Sequence, residues 1–344
     1  MCSVKASNHR KSPDGKAMLS SRITGTGSAL PGKILTNADL ELMVDTSDEW
    51  ITSRTGIKQR RIASDGESTS TFAIEASRRA LNMAGICADQ LDIIIMGTVT
   101  PDYPFPSTAC IIQREIGAKN AVAFDLSAAG SGFIYGLSIA DSFIRGGQKK
   151  KALVIGAEVL SRIVDWSDRN TCILFGDGAG AAVVEAHEGN NGILSTHIFS
   201  KGDYWDTLYQ AGCGSINPAS KEKTIDQRLM FIKMEGNDVF KHAVRAMEEA
   251  AFVALNANSI SASEISLFIP HQANLRIIDA IARRLGLPDN KVFVNLHNYG
   301  NTSAASIPIA LDEANRAGLV KKDDLLLLDA FGGGFTYGSA IVRW

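Results

Sequence analysis

Three kinds of segment occur twice in this chain, in the same order in each half, and no other feature narrows the fold as far. "LDIIIMGTVTPDYPFPSTACIIQREIGA" (91–118) reads as a strand, a Pro-containing loop and a helix, and "SLFIPHQANLRIIDAIARRLGL" (266–287) reads the same way. In the second of these helices Ile277, Ile278, Ile281 and Leu285 recur at helical spacing. "AVAFDLSAAGSGFIYGLSIADSFIRGG" (121–147) is then matched by "VFVNLHNYGNTSAASIPIALDEANRAG" (292–318), each a strand, a turn and a helix ended by Gly. Last, "KALVIGAEVL" with "CILFGDGAGAAVVEA" is echoed by "DLLLLDAFGGGFTYGSAIVRW", strands joined by Gly-rich turns. Strands alternating with helices build mostly parallel sheets covered by helices. A duplicated set therefore predicts an α/β protein of two such units face to face, at residues 18–190 and 191–344. Residues 197–231 carry little periodicity and many turn residues, and read as an excursion beside the site.

The rest of the composition mainly excludes. A chain of 344 residues, 45% hydrophobic and 21% charged, is neither disordered nor fibrous. Its net charge of -2 argues against nucleic acid as the main ligand. No apolar run approaches the roughly 20 residues that cross a bilayer, so no membrane span is expected. The five cysteines, at 2, 87, 110, 172 and 213, are odd in number and irregularly spaced. They read as reduced thiols of a cytoplasmic protein, with neither a disulfide framework nor a metal site. Cys110 in particular reads as a small buried hydrophobe. The polar start, "MCSVKASNHRKSPDGKA" (1–17), lacks the apolar core of a secretory signal and reads as a flexible extension outside the fold.

In duplicated α/β folds the chemistry gathers where strand ends converge. Here the paired turns bring together Gly130, His271, Asn301 and Gly333. An imidazole and a carboxamide at equivalent strand ends can each donate a hydrogen bond to one thioester carbonyl and so stabilise an enolate. Each also has a structural reading: a lone His commonly satisfies a buried partner, and an Asn beside Gly commonly makes a turn. His297 competes for the base role but falls within a strand end, too early in the repeat. The run Gly332, Gly333, Gly334 lacks the Lys-Ser/Thr that completes a phosphate loop, and fits close backbone approach to a carbonyl instead. "FGDGAGAA" (175–182) reads as its first-half equivalent.

Seven motifs in order, "TSDEWITSRTGIKQRRIA", "GTVTPDYPFPSTAC", "FDLSAAGSGFIYGLSIA", "FGDGAGAAVV", "PHQANLRII", "GNTSAAS" and "FGGGFTYGSA", carry a resemblance from about residue 19 to Trp344. The chain resembles bacterial β-ketoacyl-acyl carrier protein synthase III, a condensing enzyme of the thiolase superfamily. That resemblance implies a thiolase-like fold, two duplicated α/β halves packed as a five-layer αβαβα core. It implies a decarboxylative Claisen condensation of acyl-CoA with malonyl-acyl carrier protein at the start of fatty acid synthesis, in a homodimer with no cofactor beyond the CoA thioester substrate. In the family a Cys at the start of the central helix takes the acyl group, a placement in which aligned peptide dipoles favour the thiolate. Gly130 occupies that position here. The family's His and Asn fall on His271 and Asn301, and its backbone oxyanion donor on Gly333.

The resemblance also implies binding roles. Trp50, Arg54 and Arg169 would hold the adenine and phosphates of CoA. Asn237, Phe240, Asn274 and Ile277 would line the pantetheine tunnel, and Arg276 would meet the acidic carrier protein. Phe105 would cross the dimer interface to close the partner's acyl pocket, Leu174 would bear on primer size, and Phe331 would screen the reaction from water. Ser131 is a poor substitute for the thiol, since one helical step turns a side chain by about 100°. Without a nucleophile no acyl-enzyme forms, so condensation should fall to a trace while decarboxylation needs only a bound malonyl thioester and donors at its carbonyl. The alternative expectation is a non-catalytic acyl-CoA or carrier-protein binding homologue.

Overall fold

A computed structural model describes residues 19–344. The extension expected over residues 1–17, with Cys2, lies outside the described residues. Five of the seven strands up to His187 form one sheet. In chain order they are β1 (Ser20–Ala29), β4 (Ile93–Gly97), β5 (Val122–Leu126), β6 (Lys151–Val159) and β7 (Asp177–His187). They lie side by side as β1-β7-β6-β4-β5, with β6, β4 and β5 parallel. Between β1 and β4 run a small antiparallel two-stranded sheet, β2 (Lys33–Thr36) with β3 (Gln59–Ile62), and the helices α1 (Asn37–Glu41), α2 (Asp48–Thr55) and α3 (Thr69–Ala84).

The second sheet is four-stranded. β8 (Gly192–Ser200), β11 (Leu267–Pro270), β12 (Leu325–Gly332) and β13 (Thr336–Arg343) lie in the order β11-β12-β13-β8. The strands "IIIMG" and "LLLLDAFG" are buried along their whole length, as strands covered by helices on both faces must be. The segment after β8 leaves the sheet at residue 201, so the expected excursion begins after the strand rather than at 197. It holds β9 (Leu208–Gln210), α7 (Glu222–Asp226) and β10 (Ile232–Met234).

Three buried clusters separate five layers. α3 and α4 (Thr108–Ile116) cover the outer face of the first sheet through Ala73, Ala76, Ala80, Ala109 and Ile112. α5 (Gly132–Arg145) and α11 (Ser306–Arg316) lie between the sheets, burying Phe133, Leu137, Ile307 and Leu311 against residues of both. α8 (Gly236–Ala257) and α9 (Leu275–Leu285) cover the second sheet, with Met247, Ile277 and Ile281 in that core. α9 shows how local sequence sets such an element. The Asn274 side chain caps its start, the Ile277-Ile281-Leu285 stripe turns inward, and Gly286 ends it in the left-handed region at φ 70°. This is the five-layer αβαβα arrangement.

The repeat is less exact than the sequence suggests. The strand expected at the start of 292–318 makes only one bridge to the sheet, Phe268 to Val292. The Gln272 carboxamide explains the loss: it donates to the Phe293 carbonyl at 3.1 Å and accepts from Asn295 and Leu296 N–H, taking groups a ladder would use. His297 therefore lies in a short helix, α10 (Leu296–Tyr299), not at a strand end. β6 and β7 are joined through residues 160–176, which include α6 (Arg169–Cys172), and not by a tight Gly turn. Gly178 and Gly180 of "FGDGAGAA" belong to β7. At Gly180 a Cβ would stand 2.6 Å from the backbone of Pro308 and Ile309, so that glycine lets α11 seat against the strand. Cys110 is exposed rather than buried: its Sγ lies 3.6 Å from the Ala123 carbonyl of β5, the edge strand of the sheet.

Candidate active site

β5 delivers the chain into a 3-10 turn, Ala129–Ser131, from which α5 starts. Ala129 takes φ 44° to make the bend. Two side chains pin it: Ser131 Oγ donates to the Thr336 carbonyl at 3.0 Å, and Thr336 Oγ1 donates to the Ala128 carbonyl at 2.8 Å. Ser131 is thus turned away from the cavity and bound elsewhere. Gly130, at the tip, has little room for a side chain. A Cβ there would press on the Phe331 carbonyl oxygen and stand 2.7 Å from His271 Nε2.

That second distance places the imidazole directly over Gly130. β11 ends at Pro270, and the next N–H, that of His271, donates to the Asp329 carbonyl at 2.8 Å. The ring is 5% exposed, and its Nδ1 lies 2.6 Å from Ser306 Oγ. Burial lowers its pKa to about 4, so it is neutral near pH 7. Asn301 comes from the turn before α11. Its own N–H donates to the Leu174 carbonyl at 2.8 Å, and its Oδ1 accepts Ser303 N–H at 2.8 Å. With the oxygen engaged, the Nδ2 hydrogens are the part of this carboxamide left to donate.

Gly130, His271, Asn301 and Gly333 line one cavity of about 660 Å³. Trp50, Arg54, Asn237, Phe240, Asn274, Arg276, Ile277 and Phe331 line it as well, as does Leu174. Leu208 and Ile232 of the excursion close one side. The Trp50 ring has the Arg54 guanidinium 4.7 Å from its centroid and that of Arg169 at 5.0 Å, although Arg169 does not line the cavity itself. Arg169 is held in turn by the Asp45 carbonyl at 2.8 Å. Asn274 caps α9 through Oδ1 and donates from Nδ2 to the Arg54 carbonyl at 3.2 Å, so both its polar atoms already have protein partners. The Arg276 guanidinium sits 5.6 Å from the Phe240 ring centroid. Phe331 packs at 4.7 Å on Phe335. His297 and Phe105 are not part of the cavity, and Phe105 is 84% exposed.

Known proteins share both this sequence and this architecture. A relative from Caldanaerobacter subterraneus subsp. tengcongensis, a β-ketoacyl-[acyl-carrier-protein] synthase III, is 56% identical over 322 residues, covering 94% of this chain and 97% of that one. The chain belongs to the β-ketoacyl-acyl carrier protein synthase III family. A second synthase III, from Natranaerobius thermophilus, is 53% identical over 95% of this chain and 100% of its own length. The crystal structure of 3-oxoacyl-[acyl-carrier-protein] synthase III from Aquifex aeolicus VF5 superposes with a TM-score of 0.88 at 51% identity, covering 94% of this chain and all of that one. Family profiles for 3-oxoacyl-[acyl-carrier-protein (ACP)] synthase III match residues 124–202, and for its C-terminal part residues 255–344. The fold is thiolase-like, and the family is one of acyltransferases of fatty acid biosynthesis. Among the described residues no helix is long and apolar enough to cross a membrane.

Sequence reasoning missed the residues packed behind His271 and the Asn301 turn. Ser306 and Asp329 fix His271, and Glu158 sits fully buried behind the Asn301 turn. Glu158 takes hydrogen bonds from Thr98 Oγ1, Thr100 Oγ1 and the N–H groups of Val99 and Thr100. The one sequence signal for Ser306 is its place in the repeat, where it opens α11 as Gly132 opens α5.

Proposed function

We propose that this chain is a β-ketoacyl-acyl carrier protein synthase III homologue that takes acyl-CoA and malonyl-acyl carrier protein but does not form an acyl-enzyme, and that its residual chemistry is decarboxylation of the malonyl thioester. The observation that carries this reading is the position of His271 Nε2, 2.7 Å from where a Gly130 side chain would begin, with no thiol or hydroxyl there. Ser131 Oγ is committed to the Thr336 carbonyl, so it offers no substitute nucleophile. In the proposed step the bond from the malonyl α-carbon to its carboxylate breaks and CO2 leaves. The electron pair passes to the thioester enolate, whose oxygen accepts from His271 Nε2–H and Asn301 Nδ2–H. A solvent proton then converts the enolate to the acetyl thioester. Neutral imidazole suits this role because it donates to the enolate without surrendering a proton in the ground state.

Trp50 with two guanidinium groups near its ring suits an adenine with phosphates alongside, and the cavity beyond it has the apolar walls a pantetheine arm would need. Asn237, Asn274 and Ile277 are assigned to that arm, Arg276 to the carrier protein, and Gly333 N–H to the acyl oxyanion. We assign Phe105 and the half-exposed β5 edge at Val122 to contact with a second copy, since such an edge invites pairing. No cofactor is needed for these steps.

The test is CO2 release from malonyl-CoA and malonyl-acyl carrier protein. His271→Ala or Asn301→Ala should lower it by about 10²- to 10³-fold, the usual effect of losing one oxyanion donor. Tight thioester binding with no CO2 from the unmodified chain would instead establish a binding protein. Unchanged release in the His271 variant would remove that residue from the mechanism.

A further inference from the structure

His271 can work as an enolate donor only if its single ring proton sits on Nε2, and the surroundings of Nδ1 decide this. Nδ1 lies 2.6 Å from Ser306 Oγ, and both groups are buried. Ser306 is the first residue of α11 and 2% exposed. Its Oγ has one hydrogen to give and two lone pairs to offer. The Gln272 N–H, 3.3 Å away, can only donate, and so takes a lone pair. Among the described residues Nδ1 is then the only acceptor that the Ser306 hydrogen meets.

We propose that Ser306 is a positioning residue that donates its hydroxyl hydrogen to His271 Nδ1, thereby keeping the imidazole proton on Nε2, above Gly130. The opposite tautomer would make Oγ accept twice and leave its own hydrogen buried without a partner. A defect of that kind disfavours a state by roughly 5- to 150-fold. It would also turn the Nε2 lone pair toward the enolate oxygen. The backbone supports the assignment. The 3-10 turn Ser303–Ala305 repeats the turn at Ala129–Ser131, with Ser303 at φ 48° matching Ala129 at φ 44°. Through this match Ser306 holds the place of Gly132. In the first half that place is crowded, since a Cβ there would stand 3.0 Å from Gly97 and 3.1 Å from Ala304. In the second half it is free to carry a hydroxyl to the imidazole.

The proposal rests on the donor role assigned to His271, and its test separates the two. In the full chain labelled with 15N- and 13C-histidine, the His271 ring signals, identified by their loss in His271→Asn, should show a protonated Nε2 and an unprotonated Nδ1 near neutral pH. A protonated Nδ1 would overturn the proposal, whatever the activity. Ser306→Ala should mix the tautomers and lower kcat for CO2 release from malonyl-CoA in proportion to the lost Nε2–H population, about twofold for an even mixture, with KM unchanged. Ser306→Thr, which keeps the hydroxyl, should retain the spectrum. A pure Nε2–H signal in Ser306→Ala would refute the positioning role. Absent CO2 release from the unmodified chain would refute the donor chemistry while the ring signals still reported on Ser306.

Discussion

Acidification from about pH 7.5 to 4.5 acts on His271 and Glu158 in opposite senses, and separating them tests the electrostatics of the site. His271 has an ordinary imidazole value of 6.5, lowered to about 4 by burial. Between those values the unfolded chain binds a proton that the folded ring refuses, so stability is lost as pH falls, by about 3 kcal/mol over the full window. Glu158 runs the other way. Burial raises its carboxyl from 4.5 to about 7, against the pull of its Thr and backbone donors. The folded state therefore takes up a proton first, and stability rises by a similar amount as pH falls from 7 to 4.5. Asp125, Asp177 and Asp329, whose pKa values burial also raises, act in Glu158's direction. The stability of the unmodified protein alone cannot expose His271. The difference between it and His271→Asn can, because the carboxyl contributions cancel. Urea unfolding at a series of pH values should show that difference shrinking by about 3 kcal/mol on acidification, while Glu158→Gln should become markedly more acid-sensitive than the unmodified chain. A difference independent of pH would mean that the folded ring is not held neutral in a water-excluded site, and the donor argument would fail with it.

Gly130→Cys should gain one acetyl group on incubation with acetyl-CoA, read by intact mass. It should also cost about 1–3 kcal/mol of stability, because the new Cβ must displace the Phe331 carbonyl. A folded variant with no adduct would show that the nucleophile position is misplaced. Trp50→Ala should raise KM for malonyl-CoA about tenfold and leave kcat nearly unchanged, the loss expected when an aromatic face beside two guanidinium groups is removed. An equal fall in kcat would put Trp50 nearer the chemistry than the cavity mouth.

The strands β4 to β7 and β11 to β13, the helices α4, α5, α9 and α11 and the small-residue turns were legible in the sequence because each depends on local periodicity. "IIIMG" and "LLLLDAFG" announce fully covered strands, and "SAAGSGF" and "NTSAAS" announce tight entries to the central helices. What local pattern could not show is how side chains distant in the chain redirect the backbone. Gln272 replaces a fifth strand in the second sheet by binding Phe293, Asn295 and Leu296, and no spacing in "VFVNLHN" reveals it. Nor could the repeat say which half would leave a polar side chain facing the cavity. Strand register supplies the reason. β4 pairs with β6 so that Gly97 faces Gly156, and β11 pairs with β12 so that Pro270 faces Asp329. Matching these registers puts Thr98 in the place of His271 and Glu158 in the place of Phe331. In the first half those positions satisfy each other: Thr98 Oγ1 donates to Glu158 at 3.2 Å, and Thr100 adds a second hydroxyl at 2.5 Å. A strand-end group consumed in this way has nothing left for a ligand. In the second half the corresponding side chain is paired on one nitrogen only, and its other nitrogen meets a glycine. The asymmetry between the two pseudo-equivalent strand ends thus comes down to one side-chain nitrogen left without a partner among the described residues, a property of three-dimensional neighbours that the two matching strings of residues do not record.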